Sequence, residues 1–466
     1  LDGLEAVEMK LCEVLDDNDS FRFDSEYFQK EYLLELSIMS KYKLSELVNI
    51  TNKIDVGFVG SMVNEYTNDG IPLLQTKNIA EVFINTNEYV CINKEFHNKL
   101  KKSQICLHDI LIARSGSFGK ASIYFEKTIV NSSDVIIIQA NHLSINCFYL
   151  TIFLNSKYGR DQMIRFASGG LQGHVNLTIL EKLKVPMLPK NFQTHIENLV
   201  ISAHRKLEQS KKLYQDAETM LLEELGFNDF SLTCNNIAIK SLSESFSISG
   251  RLDAEYYQPK YDAILEKIEQ YHNGFFALND ICTLHDANFL PHNETIYNYI
   301  ELSNIGTNGE IVDCMCEKGC DLPTRARRRI KKGQVIVSTI EGSLQSIAIV
   351  DECYDNALCS TGFYIIDSQN INSETLLVLL KNNYMQALLK KRCSGTILTA
   401  IGKEEFMSLQ IPLIDAVIQQ NIASHIQKSF ALRSESKQLL AKAKAAVECA
   451  IEQGEAYAVD TFFHDL

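Results

Sequence analysis

The stretch RARRRIKK at residues 325–332 places six cations in eight residues. No acidic run stands opposite them, so Arg325, Arg327, Arg328 and Arg329 suit the neutralisation of phosphates rather than acid–base work. Smaller clusters repeat the theme at Lys99, Lys101 and Lys102, at Arg160 and Arg165, and at Lys390, Lys391 and Arg392. Two glycine-bearing loops add polar side chains able to hydrogen-bond base edges. SGSFGKAS (115–122) carries Ser117 and Lys120 just after Arg114. ASGGLQGHVN (167–176) carries Gly169, Gly170, Gln172, His174 and Asn176. Later in the chain STIEGSLQS (338–346) offers Ser343 and Gln345, and CSGTILTAIG (393–402) offers Ser394 and Thr396. The competing reading of each cluster is an ordinary solvated face or loop.

Catalytic chemistry is not legible. SGSFGKAS has the wrong spacing for a phosphate-binding G-x-x-x-x-G-K-[ST] loop and reads as a hairpin turn, with Gly116 and Gly119 at special backbone angles. No Asn-Pro-Pro-Tyr-type methylation motif and no G-x-G-x-x-G after a strand is found. Cys314, Cys316 and Cys320 lie close together in CMCEKGC, near His285 and His292, but lack the paired spacings of structural zinc. No metal site is therefore expected, and NSSD (131–134) and LCST (358–361) read as turn chemistry.

The elements that position these residues come twice. SFRFDSEYFQKEY (20–32) returns as SGRLDAEYYQPKY (249–261), 229 positions later. Asn78-Ile79 returns as Asn304-Ile305, Ser168-Gly169 as Ser394-Gly395, Val185-Pro186 as Ile411-Pro412, and Gln193 as Gln419, all at an offset of 226. The repeat unit is thus a whole domain plus a tail. Each copy begins with short β-type runs such as ILIA, VIII, VIVST and FYII among helical stretches, which predicts a mixed α+β globule.

Each tail is a long helix with a heptad seam. The first seam runs Ile196, Val200, Ala203, Leu207, Ser210, Tyr214, Ala217, Leu221. The second runs Ile422, Ile426, Ser429, Arg433, Ser436, Leu440, Ala443, Val447, with Arg433 weakening it. The helices are expected to pair antiparallel and coiled-coil-like, in a pseudo-two-fold arrangement imitating a symmetric dimer. The expected divisions are a first globule with its anchoring segment (1–190), a first spacer helix (191–226), a second globule with its anchor (227–415), and a second spacer helix with tail (416–466).

The paired RFDSEYFQKEY and RLDAEYYQPKY, the strand-turn-strand DILIARSGSFGKASIY, and LEKLKVPMLPKNFQTHI running into a long helix resemble, in that order and given twice, the specificity subunit of type I DNA restriction–modification systems. The resemblance implies two target recognition domains, each reading one half of a bipartite site on double-stranded DNA. It implies helices that set the spacer and dock two adenine methyltransferase subunits. An ATP-dependent restriction subunit is a further possible partner. It implies no catalysis and no cofactor in this chain, with S-adenosylmethionine held by the partner. The second copy departs from the pattern, with STIEGSLQS where the first has ARSGSFGK. The recognition half of a fused methyltransferase–nuclease and a protein-only coiled-coil adaptor are the alternatives.

Composition bounds these readings. With 466 residues and a net charge of −14, DNA binding must rest on local clusters rather than on total charge. Thirteen cysteines without an export signal suggest reduced thiols and a cytoplasmic protein. No run is long enough to span a membrane. The chain starts at Leu1, which leaves the natural start open.

Overall fold

The computed structural model describes residues 6–15, 22–86, 89–114, 119–166, 177–228, 230, 237–395 and 399–464. The chain forms two compact units, residues 1–206 with 434–466, and residues 207–433. The helices that matter are α1 (Lys30–Met39), α2 (Cys147–Asn155), α3 (Lys157–Phe166), α4 (Lys190–Glu224), α5 (Pro259–Glu269), α6 (Ser373–Lys381), α7 (Asn383–Lys391) and α8 (Ala416–Gln453).

In the first unit the central sheet runs in the order Thr51–Val56, Val135–Ala140, Ile110–Ala113, Ala121–Ile123, Val82–Phe83. Its ILIA and VIII runs are buried on both faces, which is why they are continuously apolar rather than alternating. Successive side chains of a strand point to opposite faces. Ile110, Ile112, Ile136 and Ile138 accordingly join the core beneath α2 and α3, while Leu111, Ala113, Val135 and Ile137 join a second core facing a second five-stranded sheet. The second unit repeats the scheme. Val335 and Val337 face the helical core and Ile336 faces the other. Each unit contains a parallel pairing at the equivalent place, Asn131 with Leu73 and Tyr299 with Leu358, and the first unit adds a second, Val82 with Ser122.

The repeated sequence words prove to be repeated contacts. Asn78 and Asn304 each accept, on their side-chain oxygen, the backbone N–H three residues earlier. Gln193 accepts the N–H of Asn146 at the start of α2 and donates to Leu188 O. Gln419 does the same for Asn372 and Ile414 O. Val185-Pro186 and Ile411-Pro412 each close a two-stranded ribbon, against Leu44-Ser45 and Phe275-Phe276. The Tyr42 hydroxyl donates to Ala450 O, and the Tyr271 hydroxyl donates to Glu224 Oε1.

Both long helices form, and within each unit they run antiparallel. In the first unit Ser436 Oγ donates to Ala203 O at 2.8 Å, and Lys206 pairs with Glu435. Ile196 and Val200 share a core with Ala443, Ala446, Val447 and Ala450. In the second unit Ser429 Oγ donates to Ser210 O at 2.8 Å, and Ala217 and Leu221 share a core with Ile422 and Ile426. Small seam residues allow this close backbone approach. Leu440 is partly buried against the first core, and Leu207 is half-buried at the seam. Arg433 does not face the seam unpaired. It forms an ion pair with Glu310 of its own globule, with both side chains mostly buried.

Candidate nucleic-acid interface

The site begins with the latch made by the repeated R-[FL]-D-x-E-Y motif. Arg22 grips Asp24 through two nitrogens, at 2.7 and 2.6 Å, and donates a third bond to Arg165 O near the end of α3. Arg251 grips Asp253 in the same way at 2.7 Å and donates to Lys391 O and Cys393 O at the end of α7. A cation at a helix C-terminus meets the negative end of the helix dipole and its unsatisfied carbonyls. Each Arg side-chain bond with its Asp holds that carboxyl below its ordinary range. Each latched helix leads directly into one of the polar glycine loops.

In the second unit the polar loops converge on one face. The Thr361 N–H donates to Arg325 O, Thr339 donates to Gly362 O through both its N–H and its hydroxyl, and Ile340 bridges Ala400, whose strand pairs with Ser394. Arg325 and Ser394 on this face are exposed. Ser343 is half-buried, its hydroxyl shared with Ser338 Oγ at 2.9 Å. Gln345 is exposed and donates weakly to Lys381 O.

The remaining arginines of RARRRIKK have different surroundings. Ala326–Arg329 is an edge strand with a bulge between Ala326 and Arg328. Arg328 turns inward, donating to Phe363 O at 2.7 Å beside the Tyr364 ring. Arg327 folds back on Thr324 O, and the exposed Arg329 lies 3.9 Å over the Phe289 ring. Lys391 and Arg392 are likewise drawn inward. Lys391 sits over Tyr256 and Tyr261, and Arg392 bonds Ser408 and Glu405. Burial pushes both of their pKa values down. Arg165 is buried against Tyr27.

In the first unit Lys101 and Lys102 are exposed on a short turn, with Lys53 donating to Lys102 O. Ser103, the next residue, bonds Asn131 and Ser132. Arg114 pairs with Asp134 at 3.4 Å, where Asp134 adopts φ 54°. NSSD and LCST are not the expected turns: Asn131 and Ser132 belong to the buried strand Val130–Ser132, and LCST begins with the strand Leu358–Ser360. Gly119 has φ 84°, the left-handed conformation that favours glycine, and Lys120 is half-buried beside it. Gly116, Ser117, Gly169, Gly170, Gln172, His174, Asn176 and Thr396 lie outside the described residues. Thr339, Thr361 and Lys53 join the two faces without having been singled out. The match between NSSD and LCST was the signal for Thr361.

Among the described residues, the one carboxylate or thiol group close enough to share a cation is Glu31, Glu35 and Asp161, which includes no cysteine.

Residues 38–213 match the family model described as the type I restriction modification DNA specificity domain. This stretch is similar to a type I specificity domain. The matched stretch runs from the end of α1 through the first globule and well into α4. The chain is also similar to solved structures. It shares 13% identity with the type I restriction-modification S subunit from M. genitalium, over 88% of this chain and 95% of that one, at a TM-score of 0.44. It shares 13% identity with the HsdS subunit from Thermoanaerobacter tengcongensis, over 91% and 97%, at a TM-score of 0.27. A chain from a structure on complex assembly and conformational transition of the type I R-M system matches at 13% identity, over 89% and 98%, with a TM-score of 0.29. No helix among the described residues is long and apolar enough to cross a membrane.

Proposed function

We propose that this chain is the DNA-recognition and scaffolding subunit of a type I restriction–modification complex. Each globule reads one half of a bipartite, asymmetric site on double-stranded DNA. The observation that carries this reading is the duplication around a specificity domain. The domain match covers residues 38–213 of the first copy, and the second copy repeats the first copy's latch, glutamine clasp and tyrosine tie to a long helix. Two copies with one scaffold and different loops suit two different half-sites.

The contacts follow from exposure. The exposed Arg325 and Ser394 in the second unit, with Lys101 and Lys102 in the first, face the duplex, and the half-buried Ser343 and Arg114 line the same faces. Lysine and arginine supply phosphate contacts, and the neighbouring hydroxyls and amides supply base readout. Arg329 contributes a phosphate contact from the rim, whereas Arg328 supports the sheet. The paired helices set the unspecified spacer and dock two adenine methyltransferase subunits. Catalysis and S-adenosylmethionine belong to those partners.

The test is methyl transfer to duplex DNA by the pure chain, by the methyltransferase alone, and by the two together. Transfer should require both proteins. Transfer by this chain alone, or by the partner without it at equal rate, would overturn the proposal.

A further inference from the structure

The two units differ at one helix contact in a way that DNA reading does not explain. Each packs the helix after the latch against the helix before the polar loop, α1 on α3 in the first unit and α5 on α7 in the second. In the second unit the facing residues are Ile264, fully buried, and Ala387, packed on the same core. At the equivalent positions the first unit has Glu35 and Asp161, and one turn before Glu35 it has Glu31 where the second has Lys260. Glu35 is 3% exposed, yet its Oε1 has no hydrogen-bond partner. One ligand oxygen from each of Glu31, Glu35 and Asp161 lies within 4.8 Å of the others.

Burying a carboxylate without full compensation is unfavourable. The second unit makes the same contact with apolar side chains, so the fold does not need the acids. The cation facing Glu35 is Lys157, whose Nζ is 3.8 Å from Glu35 Oε1 and equally far from Glu452 Oε1, while Glu35 and Asp161 share a side-chain hydrogen bond with each other. Its side chain is 45% exposed and divided between Glu35 and Glu452. Arg160 and Tyr32 also act on the cluster electrostatically. Glu31 is exposed and Asp161 half-buried, which gives an ion a way in from solvent. Hard divalent cations take carboxylate oxygens at about 2.0–2.6 Å, so oxygens on either side of one ion stand about 4–5 Å apart.

We propose that Glu31, Glu35 and Asp161 bind one hard divalent cation of the Mg²⁺ or Ca²⁺ class, with water completing its coordination. The ion ties α1 to α3 in the first unit only, doing there what Ile264 does by packing in the second. It thereby stiffens the helix that carries the Arg22 latch and leads into the 167–176 loop.

The experiment is calorimetric titration of the full chain with MgCl₂ and with CaCl₂, alongside its unfolding temperature in each salt and in KCl of matched ionic strength. One ion per chain should bind with a dissociation constant at or below roughly 10⁻³ M and raise the unfolding temperature. Glu31→Gln, an exposed change that leaves the packing intact, should weaken binding by about tenfold or more, the loss of one charged ligand of three. The pair Glu35→Ile with Asp161→Ala copies the second unit and should abolish binding. Absence of saturable heat with both salts would overturn the proposal. So would an unchanged affinity in Glu31→Gln, which decides the matter even if the double variant fails to fold.

Discussion

At the scale of single residues, the proposed interface divides the arginines of RARRRIKK into contacts and supports. Arg325 is exposed on the face where the loops meet, so Arg325→Ala should weaken DNA binding by the assembled complex. The slope of log affinity against log salt should shrink by about 0.9, one phosphate contact. Arg328 instead donates to Phe363 O, on a strand of the neighbouring sheet. Arg328→Ala should destabilise the second unit by roughly 1–3 kcal/mol, read from denaturant unfolding, with little change in the salt slope. Lys381 offers a pH test. Burial lowers its pKa from 10.5 to about 8, with Glu310 and Glu218 opposing the shift. Below pH 8 the lysine is charged in both the folded and the unfolded chain. Between about 8 and 10.5 the unfolded chain holds a proton that the folded chain has lost, so this residue's contribution to stability rises with pH. The stability of wild type minus that of Lys381→Met should climb by up to roughly 3 kcal/mol across that window. A flat difference would mean that Lys381 titrates as an ordinary lysine.

At the scale of elements, much of the fold was legible because the chain states each device twice. The heptad spacing gave both long helices, and the paired glutamines, asparagines and latch arginines marked positions that turned out to make the same bond in each copy. The fate of individual charges was not legible. Whether an arginine in a strand faces water or core depends on register, and the bulge after Ala326 breaks the alternation that a reader would assume. Arg433 looked like a flaw in its seam because its partner, Glu310, is distant in sequence and comes from a turn of the globule. The meeting of Glu35 with Asp161 was hidden for the same reason. The tyrosine ties test the equivalence of the two copies. Tyr42→Phe and Tyr271→Phe each remove one hydroxyl donor to a long helix. Each should cost about 1 kcal/mol, with faster amide exchange at the helix end it holds, near Ala450 and near Glu224 respectively. A loss in one copy alone would show that the repeat is only sequence-deep.

At the scale of the whole molecule, the proposal makes the long helices a ruler. Adding four residues, about one turn, to both α4 and α8 lengthens each by about 6 Å, at about 1.5 Å per residue. Base pairs in a duplex rise about 3.4 Å each. Matched insertions should therefore preserve both half-sites and lengthen the spacer by one or two base pairs. An unchanged spacer with full activity would show that the helices do not set it. The central claim is that two globules in one chain read two separate DNA words, and the most direct measurement is a genome-wide map of methylated adenines. The map is made in cells expressing the methyltransferase partner with wild-type chain, with no chain, or with Arg325→Ala. The account predicts a two-part asymmetric motif that is absent without the chain, and in Arg325→Ala the same motif methylated less completely, as loss of a phosphate contact requires. A single continuous motif, or a motif that persists when the chain is removed, would contradict it.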